Sequence, residues 1–416
     1  MTDVSPLGTI KNKDKGRYIL LGKKSDTAFE YKYIKIFYLL SFLISFVMFS
    51  ILVWKGEIST PLTIVSSIFL VAIFIFNKVS SVFDFMNQKW LIVFAILNLL
   101  IVVPELSLRL IDFSFEPGVS YGNLSPVFKK IFVPDKDLMW KHSSDEPGIN
   151  SYGFYGPEVT TPKSPNIKRI LFFGDSCAEQ NYARILEQYL NENKNNPDII
   201  YECLIFAVAG YSSYQGRILV EKYSKILEAD LAFVCYGWND HWLTLNGKED
   251  EQYDNKISYA ASILNHYSKI LQLTRKVIKP LFEQNKNKLS DVVRIPAKKY
   301  RDNINYIVDE QSRYGTDVIL LTAPTSFYYN DVPDFIISSG LATSKKSAIA
   351  KHREYNEIIR EIAKNKNIDL LDAEKLINEF KNRDSLFLKD GIHFSPDGLN
   401  YMASLIYSYM IKNQFI

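Results

Sequence analysis

From Arg169 to the C-terminus, short apolar runs alternate with amphipathic stretches, and this alternation limits the fold more than any other feature of the chain. The apolar runs are RILFFG (169–174), IIYECLIFA (199–207), LAFVCYG (231–237), VILLTAP (318–324) and IDLLDA (368–373). Between them lie YARILEQYLNEN (182–193), RILVEKYSKILEA (217–229), YRDNINYIVDEQS (300–312) and HREYNEIIREIAKN (352–365), which read as helices. An apolar run of strand length is buried on both of its faces, as happens when helices cover a parallel sheet on either side. Residues 167–416 therefore read as one α/β domain, long enough for a single large core. The rhythm breaks between Trp242 and Pro296, a polar and helical insertion of the kind that either covers a site or ornaments the surface.

The first part of the chain obeys different rules. Ile36 to Trp54 and Ser59 to Asn77 each run 19 residues without a charge, about the length that crosses the hydrocarbon core of a bilayer. Trp90 to Pro104 is shorter, but Lys89 can snorkel at one end, and Glu105 and Arg109 sit a turn apart at the other. The expectation is a membrane segment over 33–112 with about three transmembrane helices. The preceding tail, 1–32, is basic: the first 35 residues carry eight Lys or Arg against four acids. The positive-inside rule keeps that tail cytoplasmic, and three spans then place everything downstream outside. The first apolar run starts too far along and is too long for a cleaved signal peptide, so the anchor is expected to stay. Residues 113–166, rich in Gly, Pro, Ser and aromatic side chains, read as an extended connector.

With the tail set apart, the remainder of a chain of formal net charge +3 is close to neutral. Nucleic-acid binding needs a concentrated basic surface and is excluded. Three irregularly spaced cysteines and five scattered histidines form no disulfide framework and no metal-ligand spacing. No metal and no cofactor is expected.

The chemistry is carried by residues that follow the ends of the apolar runs. Gly174-Asp175-Ser176 follows the first, Gly210 the second and Gly237-Trp238-Asn239-Asp240 the third, while Asp390 and His393 precede the last helix. In a parallel sheet all of these arrive at the C-terminal edge, where ligands of such folds bind. A serine hydroxyl is a weak nucleophile until an imidazole takes its proton, and that imidazole must be held in the correct tautomer. Ser176, His393 and Asp390 can fill those three roles. A tetrahedral intermediate also needs fixed N–H donors, available from the backbones of Ser176 and Gly210 and the side chain of Asn239. Asp175, Trp238 and His241 are candidates for the pocket around them.

Four blocks in this order resemble the SGNH (GDSL-type) hydrolase superfamily, named for its Ser, Gly, Asn and His. The resemblance covers roughly residues 167–416 and implies a flavodoxin-like three-layer α/β/α fold and hydrolysis or transfer of acyl esters. It implies Ser176, Asp390 and His393 as triad, and Ser176, Gly210 and Asn239 as oxyanion hole. The stretch NSYGFYGPE (150–158) together with the apolar N-terminal runs also resembles a bacterial envelope-associated subgroup.

Each residue has a plainer role open to it. Ser176 suits a turn, Gly210 a position of positive φ, Asn239 a helix N-cap, His241 packing or solvent, and Cys177 a small core site. His352 and Asn356, four apart on one helix, are assigned to structure. The expected function is a membrane-anchored serine esterase acting on an O-acyl or acetyl ester of a carbohydrate or lipid. An O-acyltransferase modifying an envelope glycan with the same triad, or a catalytically silent binding or assembly module, are the alternatives.

Overall fold

The computed structural model describes residues 36–37, 40–41, 43–45, 47–51, 93, 95–115, 131–244, 249–253, 256–283 and 292–416. The basic tail, the second apolar run and residues 116–130 of the connector lie outside the described residues, as do parts of the first and third runs. The chain divides into two compact units, one of Met1–Phe115 with Tyr267–Val277, the other of Glu116–His266 with Ile278–Ile416.

In the first unit, Asn98 lies in a π-helical turn that leads into helix α1, Val103–Leu110. Its side-chain amide donates to the carbonyl of Ser41 at 2.8 Å and accepts from the Ser45 hydroxyl at 2.9 Å. Ser41, Ser45 and Asn98 are buried, while Leu43, Leu100 and Ile101 are more than half exposed. Glu105 pairs with Arg109 one turn on, at 2.8 Å. The same carboxylate accepts the backbone N–H groups of Lys269 and Ile270, where the helix Lys269–Glu283 has unsatisfied donors and the positive end of its dipole. Among the described residues no helix is long and apolar enough to cross a membrane.

The second unit is built on five parallel strands: β3 (Ile167–Gly174), β4 (Ile200–Ala207), β5 (Leu231–Cys235), β6 (Asp317–Leu321) and β7 (Asp369–Leu371). Their spatial order is β4-β3-β5-β6-β7. This is the doubly wound α/β arrangement, with the winding reversing at β3. The period of two along each strand divides its residues between two cores. Phe172, Ile205 and Phe233 face one core, which also takes residues from helices α3 (Tyr182–Glu192), α7 (Ala373–Glu379) and α8 (Pro396–Lys412). Phe173, Phe206 and Val234 face the other, with α4 (Ser213–Leu227), α5 (Ala297–Arg313) and α6 (Lys345–Lys366). Burying each such side chain contributes about 1.5–3 kcal/mol.

The connector is more structured than its composition suggests. It holds an antiparallel hairpin, β1 (Phe132–Asp135) and β2 (Met139–His142), whose Trp140 joins the second core with Phe154. Asn150 then folds NSYGFYGPE on itself, its Oδ1 accepting from the N–H groups of Tyr152 and Phe154 and its Nδ2 donating to the carbonyl of Pro157. Strands of four residues, one containing Pro134, carry too little alternation to be seen in sequence.

Candidate active site

β3 ends at Gly174, paired with Ala207 on one side and Cys235 on the other. A Cβ on Gly174 would lie 2.5 Å from the Ala178 Cβ and 2.7 Å from the Cys235 carbonyl oxygen, so only glycine lets the next helix start so close to β5. That helix, α2 (Ser176–Glu179), is capped by Asp175, which accepts the Cys177 N–H at 2.9 Å. Ser176 is therefore the first helical residue beyond the central strand, at the point where the winding reverses.

The loop before α8 brings the partners. His393 Nε2 lies 2.8 Å from Ser176 Oγ, and His393 Nδ1 lies 2.7 Å from Asp390 Oδ2. The other carboxylate oxygen of Asp390 accepts the backbone N–H groups of Ile392 and His393, each at 2.9 Å. A carboxylate only accepts, so Nδ1 carries the proton, and Nε2 is left to accept from the serine hydroxyl. Burial works against the charge on Asp390, but the His393 ring and two backbone N–H donors outweigh it and hold the carboxyl below its usual range. Burial likewise opposes charge on His393, and the Asp390 carboxylate overcomes it and raises the imidazole above its ordinary value. The loop is braced by the Gly391 carbonyl, which accepts from the Ser326 N–H at 3.0 Å and the Thr325 hydroxyl at 2.9 Å.

Gly210 follows β4 with φ at +86°, a backbone conformation that favours glycine. Asn239 is not a helix cap: its Nδ2 donates to the Tyr211 carbonyl at 3.0 Å, joining the segment after β5 to the Gly210 strip. Asp240 accepts the Ser213 N–H at 2.9 Å, and burial pushes its carboxyl up to about 7.

The expected pocket residues separate. Asp175 is buried beneath the serine as the helix cap, where burial pushes its carboxyl up to about 6. Trp238 is buried too, stacked on His352 with ring centroids 3.9 Å apart, so both belong to the interior rather than to a pocket wall. A neighbour decides this for Trp238: the α6 histidine packs flat against its ring. His241 does border a cavity of about 210 Å³, shared with Trp242, Leu243, Thr343 and Lys351, while its Nε2 lies 3.1 Å from His352 Nδ1. His352 and Asn356 are structural, as their spacing suggests. His352 Nε2 lies 2.8 Å from the Ala323 carbonyl, and Asn356 exchanges two hydrogen bonds with the Ala323 backbone. Cys177 is buried and its thiol pushed up by burial, which removes it as a nucleophile at neutral pH. Among the described residues no group of three His, Cys, Asp or Glu side chains could hold a metal.

Four side chains that the sequence did not single out hold the Ala209-Gly210 segment, directly or through Glu179. Glu179 accepts the Ala209 N–H at 2.9 Å and faces His142 Nε2 at 2.5 Å. Arg294 donates to the Gly210 carbonyl at 3.0 Å, and Trp140 donates to the Ala209 carbonyl at 3.1 Å. Three of the four bind backbone atoms, which leave no trace in a residue pattern. A lone arginine in the apolar VVRIP (292–296) was the one visible signal.

A doubly wound α/β domain that aims a serine, a histidine and an aspartate at its switch point has the architecture of a serine hydrolase. The family model of the GDSL-like Lipase/Acylhydrolase family matches residues 172–399, more than half of the chain, and the chain belongs to that family. It is an enzyme that hydrolyses ester bonds. Among solved structures, the chain is similar to a lipase/acylhydrolase from Enterococcus faecalis, at 15% identity over 58% of this chain and 95% of that one, with a TM-score of 0.39. It is similar to a GDSL-like lipase from Bacteroides thetaiotaomicron, at 16% identity over 59% and 89%, TM-score 0.38. A catalytic mutant of an acetylxylan esterase from Geobacillus stearothermophilus aligns at 12% identity over 58% and 93%, TM-score 0.35. No curated protein matches the sequence.

Proposed function

We propose that this protein is a membrane-anchored serine esterase that hydrolyses O-acyl or acetyl esters of a carbohydrate or lipid outside the cytoplasm. The observation that carries the reading is the position of His393, 2.8 Å from the Ser176 hydroxyl and 2.7 Å from Asp390. In this mechanism His393 Nε2 takes the hydroxyl proton as Ser176 Oγ attacks the ester carbonyl. The tetrahedral oxyanion is met by the N–H groups of Ser176 and Gly210 and the amide of Asn239. The imidazolium, stabilised by Asp390, returns the proton to the departing alcohol, and water repeats the cycle on the acyl-enzyme. Anchoring is supported by the apolar runs and by Ser41, Ser45 and Asn98, which bond to one another between helices with exposed apolar flanks.

The test is intact-mass detection of an acyl adduct on Ser176 with a panel of acetyl and longer-chain esters, repeated with candidate sugars as acceptors. Acylation of the native protein and none of Ser176→Ala is expected, with free acid as product. Acylation at another residue would overturn the site, and a new sugar ester would make the enzyme a transferase. Protease protection in intact cells should leave the region after Ser114 cleavable from outside. A protected catalytic unit would reverse the topology.

A further inference from the structure

Beyond β4 the chain runs Ala209-Gly210-Tyr211, and each of these residues is gripped by a side chain from a different part of the sequence. The Ala209 N–H donates to Glu179 at 2.9 Å. The Ala209 carbonyl accepts the indole N–H of Trp140 at 3.1 Å. The Gly210 carbonyl accepts from Arg294 at 3.0 Å, and the Tyr211 carbonyl from Asn239 at 3.0 Å. We infer that Trp140, from the connector hairpin, is a positioning residue of the oxyanion hole, whose indole N–H fixes the peptide plane that carries the Gly210 N–H. The inference rests on the reading of Gly210 as an oxyanion donor.

Peptide planarity couples the two groups. The Ala209 carbonyl and the Gly210 N–H belong to one trans peptide and project from opposite edges of it, so holding the oxygen sets the direction of the hydrogen. Rotation of that plane is the soft motion available to the backbone. Gly210, with φ at +86° and no Cβ, resists it least. Donors to an oxyanion are useful only within about 2.7–3.1 Å of where the charge develops, so a modest tilt weakens the transition state more than it weakens substrate binding.

Trp140 is itself well held. It is 6% exposed, its ring stands edge-on to Tyr211 at 5.6 Å, and its own carbonyl accepts the Tyr211 hydroxyl at 2.7 Å. The connector and the strip thus hold each other through two hydrogen bonds and a ring contact. The opposite side is stiff as well. Arg294 and Asp250, both buried, pair at 2.9 and 2.6 Å, and Asp250 also accepts from the Ser212 hydroxyl at 2.7 Å.

The experiment uses the full chain and a chromogenic acetyl ester. Trp140→Phe keeps a ring against Tyr211 and deletes the N–H. It is expected to lower kcat about 10-fold, less than the roughly 10²–10³ that follows loss of a whole donor, with KM within about twofold. The acid limb of the pH profile should not move, because His393 is untouched. An unchanged kcat, or a loss confined to KM, overturns the inference. If Trp140→Phe does not fold, replacing the indole by its benzothiophene isostere removes the N–H alone and decides the matter by the same readings. Ser176→Ala and Asn239→Ala are measured beside it. If those two lose activity and the Trp140 variants do not, only the positioning role fails; if Ser176→Ala stays active, the esterase mechanism itself fails.

Discussion

His393 and His352 each lie in the middle of a hydrogen-bond relay, and the two relays differ in what stands at their ends. His393 joins a carboxylate to a hydroxyl in a partly exposed loop. His352 joins a backbone carbonyl to a second imidazole, that of His241, beneath the stacked ring of Trp238. The Ala323 carbonyl only accepts, so His352 Nε2 carries the proton and its Nδ1 accepts from His241. Burial without a carboxylate in contact drives the first imidazole down to about 4, whereas the carboxylate beside His393 raises that one despite burial. An imidazole becomes a base at neutral pH through its partner and its access, and the interior alone makes it an inert brace.

The most severe way to break this comparison is to disable each relay and read kcat. Ser176→Ala and Asp390→Asn should cost roughly 10³- to 10⁴-fold while the protein remains folded. Adding Asp390→Asn to His393→Ala should cost little more, because both disable one unit. Two fully additive losses would give Asp390 a separate task. His352→Phe, which keeps a flat ring against Trp238, should leave kcat within a few-fold; a loss comparable with that of His393→Ala would erase the difference between the two relays.

Asn239→Ala comes next, at about 10²- to 10³-fold in kcat if its amide serves the oxyanion. A change confined to KM would make it a binding residue.

The pH dependence sharpens the contrast, because the two imidazoles are shifted in opposite directions. His393 must be neutral to act, and Asp390 stabilises its charged form, so kcat/KM should rise with pH through an apparent value above 6.5. Asp390→Asn should move that limb downward in the residual activity. Stability carries the opposite sign at His352, whose folded value of about 4 lies below the unfolded 6.5. The unfolded chain binds the extra proton in that window, so this contribution is present above about 6.5 and is lost as pH falls toward 4. Melting temperature should fall across that range, and His352→Phe should flatten the fall. An acid slope that His352→Phe leaves unchanged would assign it to other groups.

The smallest expected effect is at Cys177. With its thiol pushed up by burial, Cys177→Ala should keep kcat within about threefold, and stronger loss would reopen the thiol as a participant.

What could be read in the sequence was whatever is local. The strands are visible because both faces of β3, β4, β5 and β6 are apolar, so runs such as RILFFG stand out. The triad is visible because Gly174-Asp175-Ser176 and Asp390 to His393 are short and fall at element ends. The third strand was read to Gly237, yet β5 stops at Cys235, since Gly237 turns to φ +137°. Trp140 and Glu179 escaped notice because they act on the main chain of Ala209, and any residue at that position would present the same atoms. The insertion from Trp242 to Pro296 was read as a cover or an ornament. Near its two ends stand Asp250 and Arg294, whose buried pairing only the folded chain reveals. Trp238 is only a pocket candidate in the sequence, because His352, which covers its ring, lies more than a hundred positions away.

The hairpin of β1 and β2 has a consequence for anyone who trims this protein. Cutting before residue 167 would keep every strand of the parallel sheet, the nucleophile and its base, and would look like a tidy excision of the catalytic part. It would also discard Trp140 and His142, leaving the Ala209 carbonyl and one oxygen of Glu179 to water. Such a fragment would also lose Trp140 and Phe154 from the second core, and it should melt lower and turn its ester over sluggishly. The working enzyme begins upstream of its parallel sheet, and an expression boundary belongs before Phe132.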